Sequence, residues 1–179
     1  MVSTTRESIL QSANRVIIER GVKRLTLEAV AKEAGVSKGG LLYHFPSKEA
    51  LVQGMLARLI TKFNAKIQTE MLQDQGPPQG QWLRAFINAT FSSGQVDVSA
   101  GLLAALALNP DLLDPNRKTY QALQAKFEAD GLDPVQATMI RLAVDGLFFS
   151  EVLGFAPPEG PMRSALQELL LAMTKDIQG

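Results

Sequence analysis

The sequence predicts an all-α fold, with an N-terminal three-helix domain that contains a helix-turn-helix and a C-terminal helical domain behind it. Three observations predict this. Apolar residues recur at spacings of three and four in one segment after another, Gly- and Pro-rich breaks separate those segments, and no strand-like alternation of useful length appears. Internal repeats and low-complexity tracts are also missing from the chain.

The first helix is expected from about Thr4 to Arg20, with Ile9, Ala13, Val16 and Ile17 on one face and Gly21 as its end. Thr26 is placed as the N-cap of the second, whose inward face is Leu27, Val30, Ala31 and Ala34. Gly35 closes that helix by entering the left-handed region without a Cβ penalty. Val36 fills the corner and Ser37 caps the next helix through its hydroxyl. The third helix, Lys38 to about His44, turns Leu41 and Phe45 inward and Lys38, Gly39, Tyr43 and His44 outward. Pro46 stops it, because the residue before a proline is pushed out of the α region. Two short helices joined by a Gly-containing three-residue turn, with polar and basic groups crowded on the second, suit insertion of a helix into DNA.

From Lys48 a long helix is expected to about Gln73, its Leu51, Met55, Leu59, Phe63 and Ile67 read as one stripe joining both halves of the protein. DQGPPQG breaks it. Further helices are expected at about Gln81 to Ser92, Val98 to Leu108, Asn116 to Ala129, Pro134 to Leu153 and Pro161 to Ile177, separated by SSGQVD, NPDLLDP, DGLDP and GFAPPEGP. The domain boundary falls between the reading head, 1–47, and the helical remainder, 48–179.

Net charge is zero over 179 residues, yet residues 1–50 carry eight Lys and Arg against five acidic groups while the rest carries ten against thirteen. Positive potential therefore gathers on the segment holding the motif. With 46% hydrophobic residues the chain can fill a substantial core. No cysteine and a single histidine leave no thiolate chemistry, no usual metal site and no nucleophile–histidine arrangement, so neither an enzyme nor a cofactor is expected. MVSTTRESIL has no apolar leader segment, and the longest apolar run is far short of the ~20 residues a membrane helix needs, so a cytoplasmic location without membrane association is expected.

Thr26, Val30, Ala31, Ala34, Gly35, Val36, Ser37, Leu41, His44, Phe45, Ser47, Lys48 and Leu51 together resemble the DNA-binding domain of the TetR family of bacterial transcriptional regulators, over roughly residues 5–55. Gly40 and Leu42 depart from the family's usual Ser, Thr or Ala and its usual Tyr, and Tyr43 is expected to take over part of that contact. The predicted DNA contacts are Thr26, Ser37, Lys38, Gly39, Gly40, Tyr43, His44 and Lys48. His44 and Lys48 are expected at phosphates, and Lys38 and Tyr43 at base edges or phosphates.

The last two helices carry more apolar surface than one protomer needs, so Leu142, Gly146, Phe149, Leu153, Leu166, Leu169, Leu170 and Met173 are expected in a homodimer interface built as a four-helix bundle. The resemblance implies the same pairing. Met55, Phe63, Trp82, Phe86, Phe91, Met139 and Phe148 are either core or the lining of an apolar effector cavity. Asp145 is either a polar handle for a cationic effector or an i, i+4 partner of Arg141. The reading is a homodimeric repressor, released from a near-palindromic double-stranded operator by a small apolar or amphipathic effector. The alternative is a DNA-bound assembly protein of the same fold that recruits a partner and senses no ligand.

Overall fold

The computed structural model describes residues 5–92 and 96–175, of which 96–100 and 116 only in backbone. Among them the chain is helical, with no strand: α1 (Thr5–Arg20), α2 (Leu27–Ala34), α3 (Lys38–His44), α4 (Lys48–Gln73), α5 (Gln81–Phe91), α6 (Val96–Leu108), α7 (Asp114–Glu128), α8 (Pro134–Leu153) and α9 (Gly160–Met173). Two 3-10 turns, Val22–Arg24 and Pro110–Leu113, fill places read as plain breaks.

Three hydroxyl caps start the helices of the first half from within their own sequence. Thr26 Oγ1 accepts from the Ala29 amide at 3.1 Å, Ser37 Oγ from Gly40 at 3.0 Å and Ser47 Oγ from Ala50 at 3.1 Å. Gly35 ends α2 at φ 68°, with the Val36 amide reaching back to the Ala31 carbonyl at 3.0 Å, so a left-handed residue is required there.

The chain divides into two compact units, and neither is continuous: one comprises 1–61 with 96–117, the other 62–95 with 118–179. This differs from the single cut at 47/48. The reason is that Leu51, Val52, Met55 and Leu56 of α4, and Ala104, Ala105 and Leu112 further on, are buried in the same core as Ile9, Leu10, Val16, Leu41 and Phe45. Close packing is visible at two glycines of this unit. A Cβ at Gly101 would lie 3.0 Å from Met55 Cβ, and one at Gly54 would lie 2.6 Å from the Phe45 ring. The expected single stripe on α4 also resolves into two. Four residues advance a helix by about 400°, so the stripe drifts about 40° per step; Leu51 and Met55 feed the first core, Phe63 and Ile67 the second.

In the second unit α5 is buried along most of its length, and Phe86 meets Phe63 edge-on at 5.7 Å and Phe127 at 5.0 Å. Ala137, Ile140, Val144 and Leu147 of α8 close over it, joined by Leu170 of α9. The start of α5 has no side-chain cap of its own. Asp130 supplies one from far along the chain, accepting from the Trp82 and Leu83 amides at 3.1 and 3.0 Å. Burial pushes the Asp130 carboxyl above the ordinary aspartate range even though both amides pull it down.

Candidate functional site

The outward side of α2 and α3 gathers most of the predicted DNA contacts on one continuous surface. Tyr43 is 86% exposed and makes an edge contact with the His44 ring at 5.1 Å, while His44 and Lys48 are half-buried. Thr26 and Ser37 spend their hydroxyl oxygens on helix caps, which leaves the hydroxyl proton of each to donate outward. Gly39 and Gly40 have different reasons for lacking a side chain. Nothing stands within 4 Å of a Cβ at Gly39, whereas one at Gly40 would press on the capping Ser37 oxygen at 3.2 Å. A side chain at Gly40 would need that oxygen to give by a few tenths of an ångström, while one at Gly39 would point into open space.

Lys38 is not bare. Its ammonium lies 2.5 Å from a Glu28 carboxylate oxygen, both side chains about three-fifths exposed at 60% and 63%, and this contact holds the Glu28 carboxyl below its usual range. Glu28 was missed in the sequence. The available signal was an acidic residue in the first turn of α2, ten positions before Lys38, a separation that the helix-turn-helix folds into contact.

The proposed effector residues scatter. Met55 belongs to the core of the first unit, Phe63 and Phe86 to that of the second, and Met139 is 50% exposed on the outer side of α8. Phe63, Phe86 and Phe91 pack in the core of the second unit, Trp82 lies against it beneath Lys126 at 4.1 Å, and Phe148 stacks edge-on with Phe149. Asp145 is buried and takes Arg141 at 2.6 Å, the plain ion pair rather than an open handle. Tyr120 from α7, 39% exposed as a whole, also bonds Asp145, and desolvation at its hydroxyl end, with Asp145's charge, drives the phenol well above the usual range. One step along the same helices Gln124 donates to Thr138 at 2.9 Å. This polar seam joins α7 to α8 and leaves two buried atoms without a partner, Arg141 Nε and Gln124 Oε1. Among the described side chains of α7 only Phe127 is fully buried.

The outer face of α8 carries Val135, Met139, Leu142, Gly146, Phe149 and Leu153, all exposed, at spacings of four and three. They lie opposite the inward Ala137, Ile140, Val144 and Leu147. On α9 the exposed apolar residues are Met162, Ala165, Leu169 and Ala172. Leu170 is a correction: it is 3% exposed and belongs to the internal core, with Leu166 and Met173 half-buried against it. Val135 and Met162, not named from the sequence, extend these exposed apolar stripes at heptad spacing.

Among the described residues no group of three or more acidic or histidine side chains is placed to hold a metal ion, and no helix is long and apolar enough to cross a membrane. Residues 80–175 match the model of the tetracyclin repressor-like C-terminal domain, and residues 9–55 that of the tetR family of bacterial regulatory proteins. The regulator TtgR of Pseudomonas putida is 36% identical over 76 residues, 42% of this chain and 36% of that protein. The chain thus spans about a third of the length of the curated relatives it matches first. A transcriptional regulator from Rhodococcus sp. Rha1 has the same fold at TM-score 0.73 and 23% identity, over 95% of this chain and 96% of that one. The multidrug binding protein EbrR, solved with ethidium, has it at TM-score 0.67 and 22% identity, over 97% and 99%. A capped helix-turn-helix with an open second helix, followed by a C-terminal domain matched over more than half of the chain, leads to one conclusion: this chain belongs to the TetR family of bacterial regulatory proteins.

Proposed function

We propose that the protein is a homodimeric repressor that holds a near-palindromic operator through two copies of the α2–α3 surface and leaves it when a small apolar or amphipathic molecule enters the second unit. The observation that carries this reading is a pair of unpartnered faces of opposite chemistry. The α3 face is polar and basic; the α8 face is an apolar heptad stripe left exposed among the described residues. Two half-sites about one helical turn apart, roughly 34 Å, require two linked heads, and the stripe is a means of linking them. Support for an effector comes from the seam between α7 and α8, where buried donors and acceptors lack partners, and from the ethidium carried by EbrR. Because Arg141 already neutralises Asp145, a cation would have to displace it. An apolar molecule with an oxygen acceptor for Arg141 Nε fits the seam better.

Tyr43→Ala is expected to change the sequence preference of the protein while leaving its stability within about 0.5 kcal/mol, since the ring is almost wholly exposed. Lys48→Ala should instead weaken all DNA alike and lower the magnitude of the salt slope by about 0.9, one phosphate's share. Site selection from a random pool and salt titrations read the two effects. An unaltered consensus for Tyr43→Ala, or an unaltered slope for Lys48→Ala, removes that residue from the interface.

Trp82 is the only tryptophan, and Lys126 of α7 rests on its ring, so a shift of α7 should alter its emission. Ethidium and a series of fatty-acyl amphiphiles are expected to include a compound that changes Trp82 fluorescence and weakens operator binding over one concentration range. The two signals must move together, because only a ligand that binds the two states unequally shifts their balance. Fluorescence changes without any loss of DNA binding would reject the release mechanism.

A further inference from the structure

The Glu28–Lys38 pair places a carboxylate in the middle of a surface that, on the reading just given, meets a polyanion. A carboxylate cannot contact phosphate. Stability does not account for it either, because a cross-helix pair this exposed is screened by solvent and adds little. In the major groove, however, an acceptor has something to read. A G·C pair presents the N7 and O6 acceptors of guanine beside the N4 amino donor of cytosine. The ammonium of Lys38 and the carboxylate of Glu28, 2.5 Å apart, present a donor beside an acceptor, the complement of that edge.

We infer that Glu28 and Lys38 act as one specificity element that reads a single G·C pair in each half-site, Lys38 donating to guanine and Glu28 accepting from the cytosine amino group. The arrangement discriminates by rejection as well as attraction. With adenine in guanine's place the ammonium would meet the N6 amino donor and the carboxylate the O4 acceptor of thymine. With thymine there, O4 and the adenine N6 amino group would complement both charges, so that pair is told from G·C by the thymine methyl that stands where guanine offers N7 to Lys38. Lys38 has a second effect, since its charge holds the flexible Glu28 side chain at the start of α3 instead of leaving it free in solvent. This inference rests on the operator reading and adds to it the identity of one base pair and the residues that choose it.

The test is selection of binding sites from a random pool by the parent, Glu28→Gln and Lys38→Met, each variant checked for native helicity, followed by titration of the selected site and its single-base variants. The parent should select a fixed G·C at one position per half-site. Glu28→Gln should lose about tenfold or more of the discrimination there, within the range of one good base contact, and keep the other positions. Its affinity for random DNA should rise, because a negative charge has gone from the surface, while Lys38→Met should bind all DNA more weakly and also relax the same position. If Glu28→Gln tightens binding to every sequence equally and leaves the consensus intact, the carboxylate acts only as a repulsive charge and the inference is overturned. If the variants relax different positions, the two residues do not read one pair, which also overturns it. A parent that selects no consensus at all sinks the operator reading, a result separable from both.

Discussion

Gly146→Leu is expected to leave each protomer folded and to abolish the dimer. Within one chain a Cβ at this position has nothing within 4 Å, so the new side chain meets no resistance there. Replacing a mid-helix glycine by leucine even favours the helix by somewhat under 1 kcal/mol. The cost can arise only against another molecule, at the centre of the stripe formed by Met139, Leu142, Phe149 and Leu153, where two helices need close approach. Leu169→Glu, at a residue 58% exposed on α9, should act in the same direction by placing a charge in an apolar contact. Leu166 is a poorer choice, since it packs on the internal core and a charge there would disturb the protomer itself. Operator affinity should fall by about two orders of magnitude or more, because the second half-site no longer binds as an intramolecular event. Sedimentation velocity with circular dichroism decides the matter. Folded dimers from both variants would move the interface off α8 and α9.

Asp74→Ala should destabilise the second unit by about 3 kcal/mol, near the lower end of the loss for stranding one member of a buried ion pair, because Asp74 sits at the rim. Arg84 Nε and Nη2 reach the Asp74 carboxylate as a fork, at 3.0 and 2.7 Å, and Nη1 donates to the Gln79 carbonyl at 2.7 Å. The same guanidinium also bonds the Pro77 carbonyl, so one side chain ties down the 74–80 connection. Without the carboxylate a buried cation is left with carbonyl partners only. A fall in Tm of about 10 °C is the expected result for a protein of this size. Removing both charges, as Asp74→Leu with Arg84→Met, should recover much of it. The pair also has a pH signature. Arg84 holds the Asp74 carboxyl below the ordinary range, so its contribution is complete above the unfolded value near 4 and disappears as pH falls through the depressed one. Asp130 behaves oppositely. Its raised carboxyl costs stability at neutral pH, and the cost is relieved as pH falls through its folded value. Denaturation between pH 7 and 3 should therefore show stability that holds or rises slightly before it drops, and Asp74→Ala should show a smaller drop, with Glu28, Glu33 and Glu49, also held low, supplying the rest.

The helices of the reading head could be placed from sequence because their starts are specified locally. Thr26, Ser37 and Ser47 each cap within three residues, Gly35 ends α2 by its own conformation, and α3 runs from Lys38 to His44 as its pattern requires. Where the determining partner is distant, the pattern is silent. The cap of α5 comes from Asp130, nearly fifty residues on, and Arg84 reads as an ordinary surface arginine until its fork with Asp74 is seen. The same limit explains the candidate sites. A helix in isolation shows how many apolar residues it has, but not which of two cores or a free face each one serves. That is why Leu170 and Met139 exchange places between the expected surface and the expected interior, and why Met55 falls in a different core from Phe63 and Phe86.

The discontinuous first unit has a consequence for how the protein can be cut. A fragment ending at residue 61 would carry every helix of the motif, yet it would lack Ala104, Ala105 and Leu112, and the surfaces of Val52, Met55 and Leu56 that share their core would lose that cover. The DNA-reading head is therefore not a module that a single break releases. During synthesis its core cannot close until residue 112 has emerged, well after the motif itself, so the capped helices must wait as a partly open bundle while the intervening segment is made. Exchange of such a head between relatives requires three junctions in register, at 61, 95 and 117, and two of them fall inside the uninterrupted helices α4 and α7.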